Sequence, residues 1–312
     1  MNAIGVGQRQ HISVSAIGSG YGESRTSPGV RCVVLRFATG VRYRRRVLRS
    51  LLALVVAALV VGVASAPAAA PVTLRVSFPE GFTVRRMVDR VAAVRTIAIR
   101  KRHVRPVLSG AGYRAAAATT APPRAFARDN RRKSLEGFLF PSVYTFGPST
   151  TAAQLIGAQL SSFDLAWRGI DQTVPRRRGI SPYGTLTIAS MVERETVAPA
   201  ERKLVAAVIY NRLAKGMPLG IDATLRYGLG IQGTRPITAA QLRNQTPYNT
   251  SIHKGLPPTP IGNPGVASMQ AAANPAAVDY LYYVRKPDGV HHFFTADEAE
   301  FCRKAQEYGY HC

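Results

Sequence analysis

The sequence predicts an α+β fold, in which an N-terminal transmembrane helix is followed by one domain of mixed helices and strands. Three observations carry this expectation. Leu51–Ala70 is an uncharged run of mostly Leu, Val and Ala, as long as the roughly 20 residues that cross a bilayer core. Between Ala152 and Lys215, three segments repeat apolar residues at helical spacing. Near the C-terminus, Leu281-Tyr282-Tyr283-Val284 and His292-Phe293-Phe294 flank the turn Pro287-Asp288-Gly289, the pattern of a β-hairpin.

In chain order, residues 1–46 mix Gly, Ser and Arg without a period and read as a disordered or mis-started cytoplasmic N-terminus. Residues 47–70 read as the membrane anchor. Arg42, Arg44, Arg45, Arg46 and Arg49 precede its apolar run, which places them on the cytoplasmic side and the rest of the chain outside. Ala64-Ser65-Ala66 resembles a signal-peptide cleavage site, so a cleaved leader is the alternative; either way the domain that follows is exported.

Residues 71–312 form the domain. Val72, Leu74, Val76 and Phe78 alternate with polar residues as in a half-buried strand, and Pro79-Glu80-Gly81 is a turn. Thr83 caps a helix whose Val84, Met87, Val88 and Val91 share a face. Residues 106–134, rich in Ala, Arg and Pro, read as a basic linker or long loop. Beyond them come a helix from Ala152 to Trp167 started by Ser149 or Thr150, a second from Thr185 to Thr196, and a third from Ala200 to Lys215. The third carries Leu204, Val205, Val208, Ile209 and Leu213 on one stripe and stops at Gly216. Gly- and Pro-rich loops then lead to the hairpin, and Asp222 and Thr224 fall in one of them.

The net charge of +24 is concentrated near the N-terminus. Residues 1–50 carry nine basic and one acidic side chain, residues 71–134 fifteen and three, and residues 135–312 seventeen and thirteen. Such a balance suits anionic partners, yet no helix-turn-helix, zinc-finger or RNA-binding signature accompanies the arginines, so nucleic acid is not expected. The three cysteines make no disulfide framework, although Cys302 and Cys312 are close enough in sequence to pair in an oxidising compartment. No Cys/His spacing suggests a metal, and His253, His291 and His292 have no assigned role.

Chemistry is concentrated in Ala189-Ser190-Met191-Val192-Glu193-Arg194-Glu195-Thr196, where two acids interrupt an apolar helix. A partly desolvated carboxyl can hold a proton near neutral pH and give it to a glycosidic oxygen; a solvated glutamate paired with Arg194 or Arg202 is the plain alternative. At about 100° per residue, Glu195 points with Ile188, Met191 and Val192, and Glu193 with the less apolar set Leu186, Ala189 and Ser190. The rigid loops Thr246-Pro247-Tyr248-Asn249-Thr250 and Gly255 to Ile261 offer a ring face, an amide and hydroxyls suited to a sugar, or serve only as structure.

Leu135 to Pro141, Ala189 to Thr196, Asn211-Arg212-Leu213, Gly216-Met217, Asp222-Ala223-Thr224, Pro247 to Thr250 and Gly255 to Ile261 resemble, in that order, the endolytic murein transglycosylase family, also called YceG-like. With Phe78-Pro79-Glu80-Gly81 the resemblance covers about residues 72–300. It implies a membrane-anchored lytic transglycosylase with a mixed α/β catalytic domain, acting on nascent peptidoglycan strands beside the cell-wall synthesis machinery at the plasma membrane. It implies no cofactor and no metal. The catalytic glutamate would be Glu195, the second acid of Glu-x-Glu-Thr, with Glu193 as the alternative. Glu195 would protonate the bond between N-acetylmuramic acid and N-acetylglucosamine, and the muramyl 6-hydroxyl would then close a 1,6-anhydro ring. Asn211, Asp222, Thr224, Tyr248, Asn249, Thr250 and Glu136 would bind substrate. Ala223 stands where the family usually has proline, and Ser251 where an aromatic usually follows Asn-Thr. The family's LysM-like subdomain looks missing or reduced. The alternatives are a non-catalytic, membrane-anchored wall-binding scaffold and a two-carboxylate glycoside hydrolase that uses Glu195 with Glu136 or Asp222.

Overall fold

The computed structural model describes residues 72–129, 133–231 and 235–311. The predicted N-terminal segment and anchor lie outside them. Among the described residues no helix is long and apolar enough to cross a membrane. The mixed α and β character is as expected.

Strand β1 (Leu74–Ser77) pairs antiparallel with β2 (Val143–Phe146), Leu74 opposite Phe146 and Ser77 opposite Val143. Between them runs α1 (Val84–Arg102), capped by the Thr83 hydroxyl on the Arg86 N–H at 3.2 Å. Arg100, Lys101 and Arg102 close its last turn, where cations complement the helix dipole. The stretch 106–134 departs from the predicted linker. It holds α2 (Gly110–Thr119) and a 3-10 turn at Arg124–Phe126. Ser109 caps α2, and Tyr113 and Ala117 bury against α1. Gly110 permits the close approach, since a Cβ there would meet Ala92 Cβ at 2.9 Å. These elements and α3 (Ala152–Arg168) enclose a first core of Phe78, Met87, Tyr113, Leu139 and Ile156. Helix α3 begins at the predicted Ala152 and is capped by Thr151 in a capping box with Gln154, one residue past the nearer predicted cap.

A short α4 (Thr173–Arg177) leads into α5 (Pro182–Glu195), capped by Ser181 with Pro182 in the first turn. The helix begins three residues before the predicted Thr185, at a Ser-Pro start signal. Every residue from Tyr183 to Val192 is buried. Its hydroxyls bond inward: Thr187 donates to the Tyr183 carbonyl at 2.9 Å and Ser190 to the Thr187 carbonyl at 2.7 Å. Around α5 pack α6 (Arg202–Ala214), entered through a 3-10 turn at Pro199–Glu201, and α9 (Val266–Ala273). Between α6 and α9 lie α7 (Asp222–Gly228) and α8 (Ala239–Leu242), where loops were predicted. Asp222 opens α7 and Thr224 lies within it.

The predicted hairpin forms, β3 (Tyr282–Arg285) against β4 (His292–Thr295), with Tyr283 opposite Phe294 and Arg285 opposite His292. Tyr282 and Val284 pack on Phe301 and Ala305 of α10 (Glu298–Glu307). Cys302 of α10 is disulfide-bonded; Cys312 lies outside the described residues.

Candidate active site

The two glutamates at the end of α5 have separate environments. The wheel distinction between them does not survive, because α5 is buried on all sides from Tyr183 to Val192. Their partners distinguish them. Glu193 is half-buried, and its Oε2 accepts the Gly265 N–H at 3.0 Å, at the start of α9. Beside it, burial and the Glu193 charge push the Glu80 carboxyl up. Glu195 is 5% exposed. Its Oε2 accepts the Tyr283 hydroxyl at 3.2 Å, and its Oε1 has no hydrogen-bond partner among the described residues. The Arg285 guanidinium donates to the Glu195 main-chain carbonyl at 3.2 Å, where a cation suits a helix C-terminus. The hairpin thus caps the end of α5 and presents a phenol to the carboxyl.

Burial drives the Tyr283 phenol well above its ordinary range, and the Glu195 and Asp222 charges push the same way. Tyr283 therefore stays a donor at any ordinary pH. A donor on Oε2 leaves Oε1 to carry and exchange a proton. This arrangement can perform general acid–base chemistry with one carboxyl.

The predicted sugar-binding residues fall into two groups. Asn211 donates to the Val278 and Tyr280 carbonyls at 2.8 and 3.0 Å, which ties α6 to the approach of the hairpin. Asn249 is fully buried and donates to the Leu242 and Asn244 carbonyls at 2.9 and 2.8 Å. Thr250 meets Thr224 hydroxyl to hydroxyl at 2.9 Å and accepts the Ile221 N–H at 3.0 Å. All four bond to the protein itself, and Asn249, Thr224 and Thr250 shape the loop that carries Tyr248. Tyr248 is half-buried, bonded to Thr259 at 2.9 Å and tilted against Tyr227 with ring centroids 5.0 Å apart. Asp222 is buried at the first residue of α7, close enough to Tyr283 for its charge to act there.

Glu136 sits at a junction. Its Oε1 accepts the Val84 N–H at 3.1 Å and the Asn263 amide at 3.0 Å, and its Oε2 accepts Tyr227 at 3.1 Å. Desolvation pushes its carboxyl up to about 8 against the pull of these donors. Asn263, fully buried, also accepts from Gly137 and Leu139 at 3.0 and 2.8 Å and donates to the Phe82 carbonyl at 2.8 Å. Gly137 must be glycine: its φ is +94°, and a Cβ would lie 2.7 Å from Pro260. The motif Leu135 to Pro141 is thereby clamped to the loop after Ile261 and to the start of α1. Both Glu136 oxygens are thus engaged by Val84, Asn263 and Tyr227, which ties this motif to α1 and α7.

Sequence reasoning missed Tyr283, Arg285 and Asn263. The alternation of the last hairpin puts Tyr283 and Arg285 on one face, but nothing local says that this face meets α5. A cavity lined by Gln172, Arg176, Ile180, Ser181 and Pro182 lies at the other end of α5 from Glu195. Among the described residues no group of three or more His, Cys, Asp or Glu is arranged to hold a metal ion.

The model of the YceG-like family matches residues 52–307. Over 161 residues the chain is 37% identical to an endolytic murein transglycosylase of Bacillus subtilis, a match covering 51% of this chain and 44% of that protein. Over 157 residues it is 34% identical to an endolytic murein transglycosylase of Streptococcus pneumoniae, covering 49% of this chain and 28% of that one. The matched stretch spans less than half the length of either curated relative. A 2.6 Å crystal structure of a yceG-like protein from Listeria monocytogenes superposes with a TM-score of 0.60 at 29% identity, covering 74% of this chain and 75% of that one.

Proposed function

The chain belongs to the YceG-like family, and from that premise we propose that it is an endolytic lytic transglycosylase that cuts peptidoglycan glycan strands with Glu195 as acid and then base. The observation that carries the reading is the Glu195 carboxyl itself: buried, held through one oxygen by Tyr283, and with no partner for the other oxygen among the described residues. The names of its relatives in Bacillus subtilis and Streptococcus pneumoniae support the substrate class.

In the proposed reaction, Oε1 gives its proton to the oxygen that links N-acetylmuramic acid to N-acetylglucosamine, and the anomeric carbon–oxygen bond breaks. The resulting carboxylate takes the proton of the muramyl 6-hydroxyl as that oxygen bonds to the anomeric carbon. The proton count closes, with Glu195 protonated again and a 1,6-anhydromuramyl end formed. The nucleophile belongs to the substrate, so intramolecular proximity replaces a positioned water. Tyr283 steadies the carboxylate between the steps. Tyr248 and Asp222 are the substrate-facing residues of this reading, with Asn211, Thr224, Asn249 and Thr250 holding the loops around them. Mass spectrometry of peptidoglycan digested by the exported domain is expected to find ends lighter by one water than hydrolysed ends. Reducing ends in their place would overturn the transglycosylase mechanism and favour a two-carboxylate hydrolase with Asp222 as partner to Glu195.

The same reading places the enzyme on the outer side of the plasma membrane, next to strand synthesis. It rests on the arginines from Arg42 to Arg49 ahead of the uncharged Leu51–Ala70. Alkaline phosphatase fused to the C-terminus is expected to be active in cells, and a cytoplasmic reporter fused there to be silent. The reverse pattern would sink the envelope assignment.

A further inference from the structure

Another buried acid, Glu201, packs behind the hairpin that holds Glu195. Glu201, at the end of the 3-10 turn before α6, accepts from His292 twice: the main-chain N–H on Oε1 at 3.0 Å and Nδ1 on Oε2 at 2.6 Å. Both residues are buried, at 8% and 4% exposure. The carboxylate fixes the proton on Nδ1 and the angle of the ring, as carboxylates behind functional histidines do. The other ring nitrogen, Nε2, is buried with no hydrogen-bond partner among the described residues.

What the imidazole touches gives it a use. His292 lies on the same hairpin face as Tyr283, Arg285 and Phe294, by the pairing of Arg285 with His292 and Tyr283 with Phe294. Its ring stands perpendicular to the Tyr283 ring with centroids 5.4 Å apart, and Phe294 packs 5.8 Å from the same tyrosine. Tyr283 in turn holds Glu195 Oε2. An unbroken chain thus runs from the Glu201 carboxylate through two rings to the Glu195 carboxyl. Among the described residues, Glu201 bonds the imidazole, Tyr283 packs against it, and Arg285 is its partner across the hairpin.

We propose that Glu201 and His292 are positioning residues: they set the angle of Tyr283, and through it hold the Glu195 carboxyl in its working orientation. This rests on the reading of Glu195 as the acid–base residue. The pair touches no substrate and acts on turnover rather than on binding. A phenol free to swing would cost Glu195 its fixed Oε2 and blur which oxygen carries the proton.

The test is a double-mutant cycle on the full chain, with kcat and KM measured on peptidoglycan strands for wild type, His292→Asn, Tyr283→Phe and the double variant, folding being checked by circular dichroism. Asn keeps a donor toward Glu201 but has no ring to set against Tyr283. Each single variant is expected to lose about tenfold in kcat with KM nearly unchanged, and the double variant about the same tenfold, because one device is removed either way. A merely structural pair would make the losses multiply toward about a hundredfold, and that result, or a fully active His292→Asn, overturns the proposal. If His292→Asn does not fold, Glu201→Gln replaces it in the same cycle with the same expectations. Glu195→Gln is assayed in parallel. An active Glu195→Gln removes the underlying reading, whereas an inactive one together with multiplying losses removes only the positioning pair.

Discussion

Glu195→Gln is expected to abolish strand cleavage while the protein stays folded. A general acid or base contributes about 10²–10⁴-fold, and here one group serves both halves of the reaction, so the loss should reach or exceed the upper end of that range. Gln preserves size and can accept the Tyr283 hydroxyl on its carbonyl oxygen, so the contact at 3.2 Å survives; only the transferable proton is gone. Glu193→Gln is the matched control. Its carboxylate accepts the Gly265 N–H at 3.0 Å, a role the amide oxygen can fill, so it should stay within about tenfold of wild type. Initial rates of glycan release, with melting curves for each variant, decide the matter. An active Glu195→Gln beside a dead Glu193→Gln would move the acid to the other residue. Equal inertness of all three proteins on several glycan preparations would favour the wall-binding scaffold.

The contrast between these two glutamates marks how far the sequence could be read. The acid pair, its helix and the late hairpin were all legible, because each follows from a local period or a turn signal. The helical wheel favoured Glu195 on the apolarity of one face, but α5 has no exposed face before its last turn. What separates the acids is non-local: Tyr283 reaches Glu195 from 88 residues away, and Gly265 reaches Glu193 from 72. The same holds for Asn263, which reads as a loop residue between Gly262 and Pro264 yet joins segments 126 and 181 residues distant. Helix α2 escaped notice for the opposite reason. A run of alanines carries little periodic contrast, so only the Ser109 cap and the lone Tyr113 mark it. Asn211, Asn249, Thr224 and Thr250 stand out in the sequence as polar residues expected to bind substrate, and their printed bonds go to the protein itself. Their chemistry alone could not say whether an amide or hydroxyl faces a sugar or a main-chain carbonyl.

Glu136 should make the wild-type protein less stable as pH rises from about 4.5 to about 8, and Glu136→Gln should remove that dependence. The sign follows from the direction in which burial moves the group. It raises the folded-state carboxyl from the ordinary 4.5 to about 8, so within this window the folded protein holds a proton that the unfolded chain has released. Stability from this group is then fully present below about 4.5, declines through the window, and levels off above about 8. The neutral form fits the geometry. Oε1 keeps the Val84 and Asn263 donors, while a proton on Oε2 can pass to Tyr227, whose hydroxyl can accept as readily as it donates. Gln reproduces that neutral form, with its amide donating to Tyr227. At about 1.4 kcal/mol for each tenfold difference in proton affinity between the folded and unfolded chain, the effect over the window is on the order of a few kcal/mol, or several degrees in melting temperature for a domain of this size. Thermal melts of both proteins from pH 5 to 9 make the comparison, since other titrating groups contribute equally to each and cancel in the difference. The melting temperature of Glu136→Gln should gain on that of the wild type steadily toward alkaline pH. Parallel curves would mean that Glu136 is ionised in the folded protein throughout, its charge carried by the three donors that surround it.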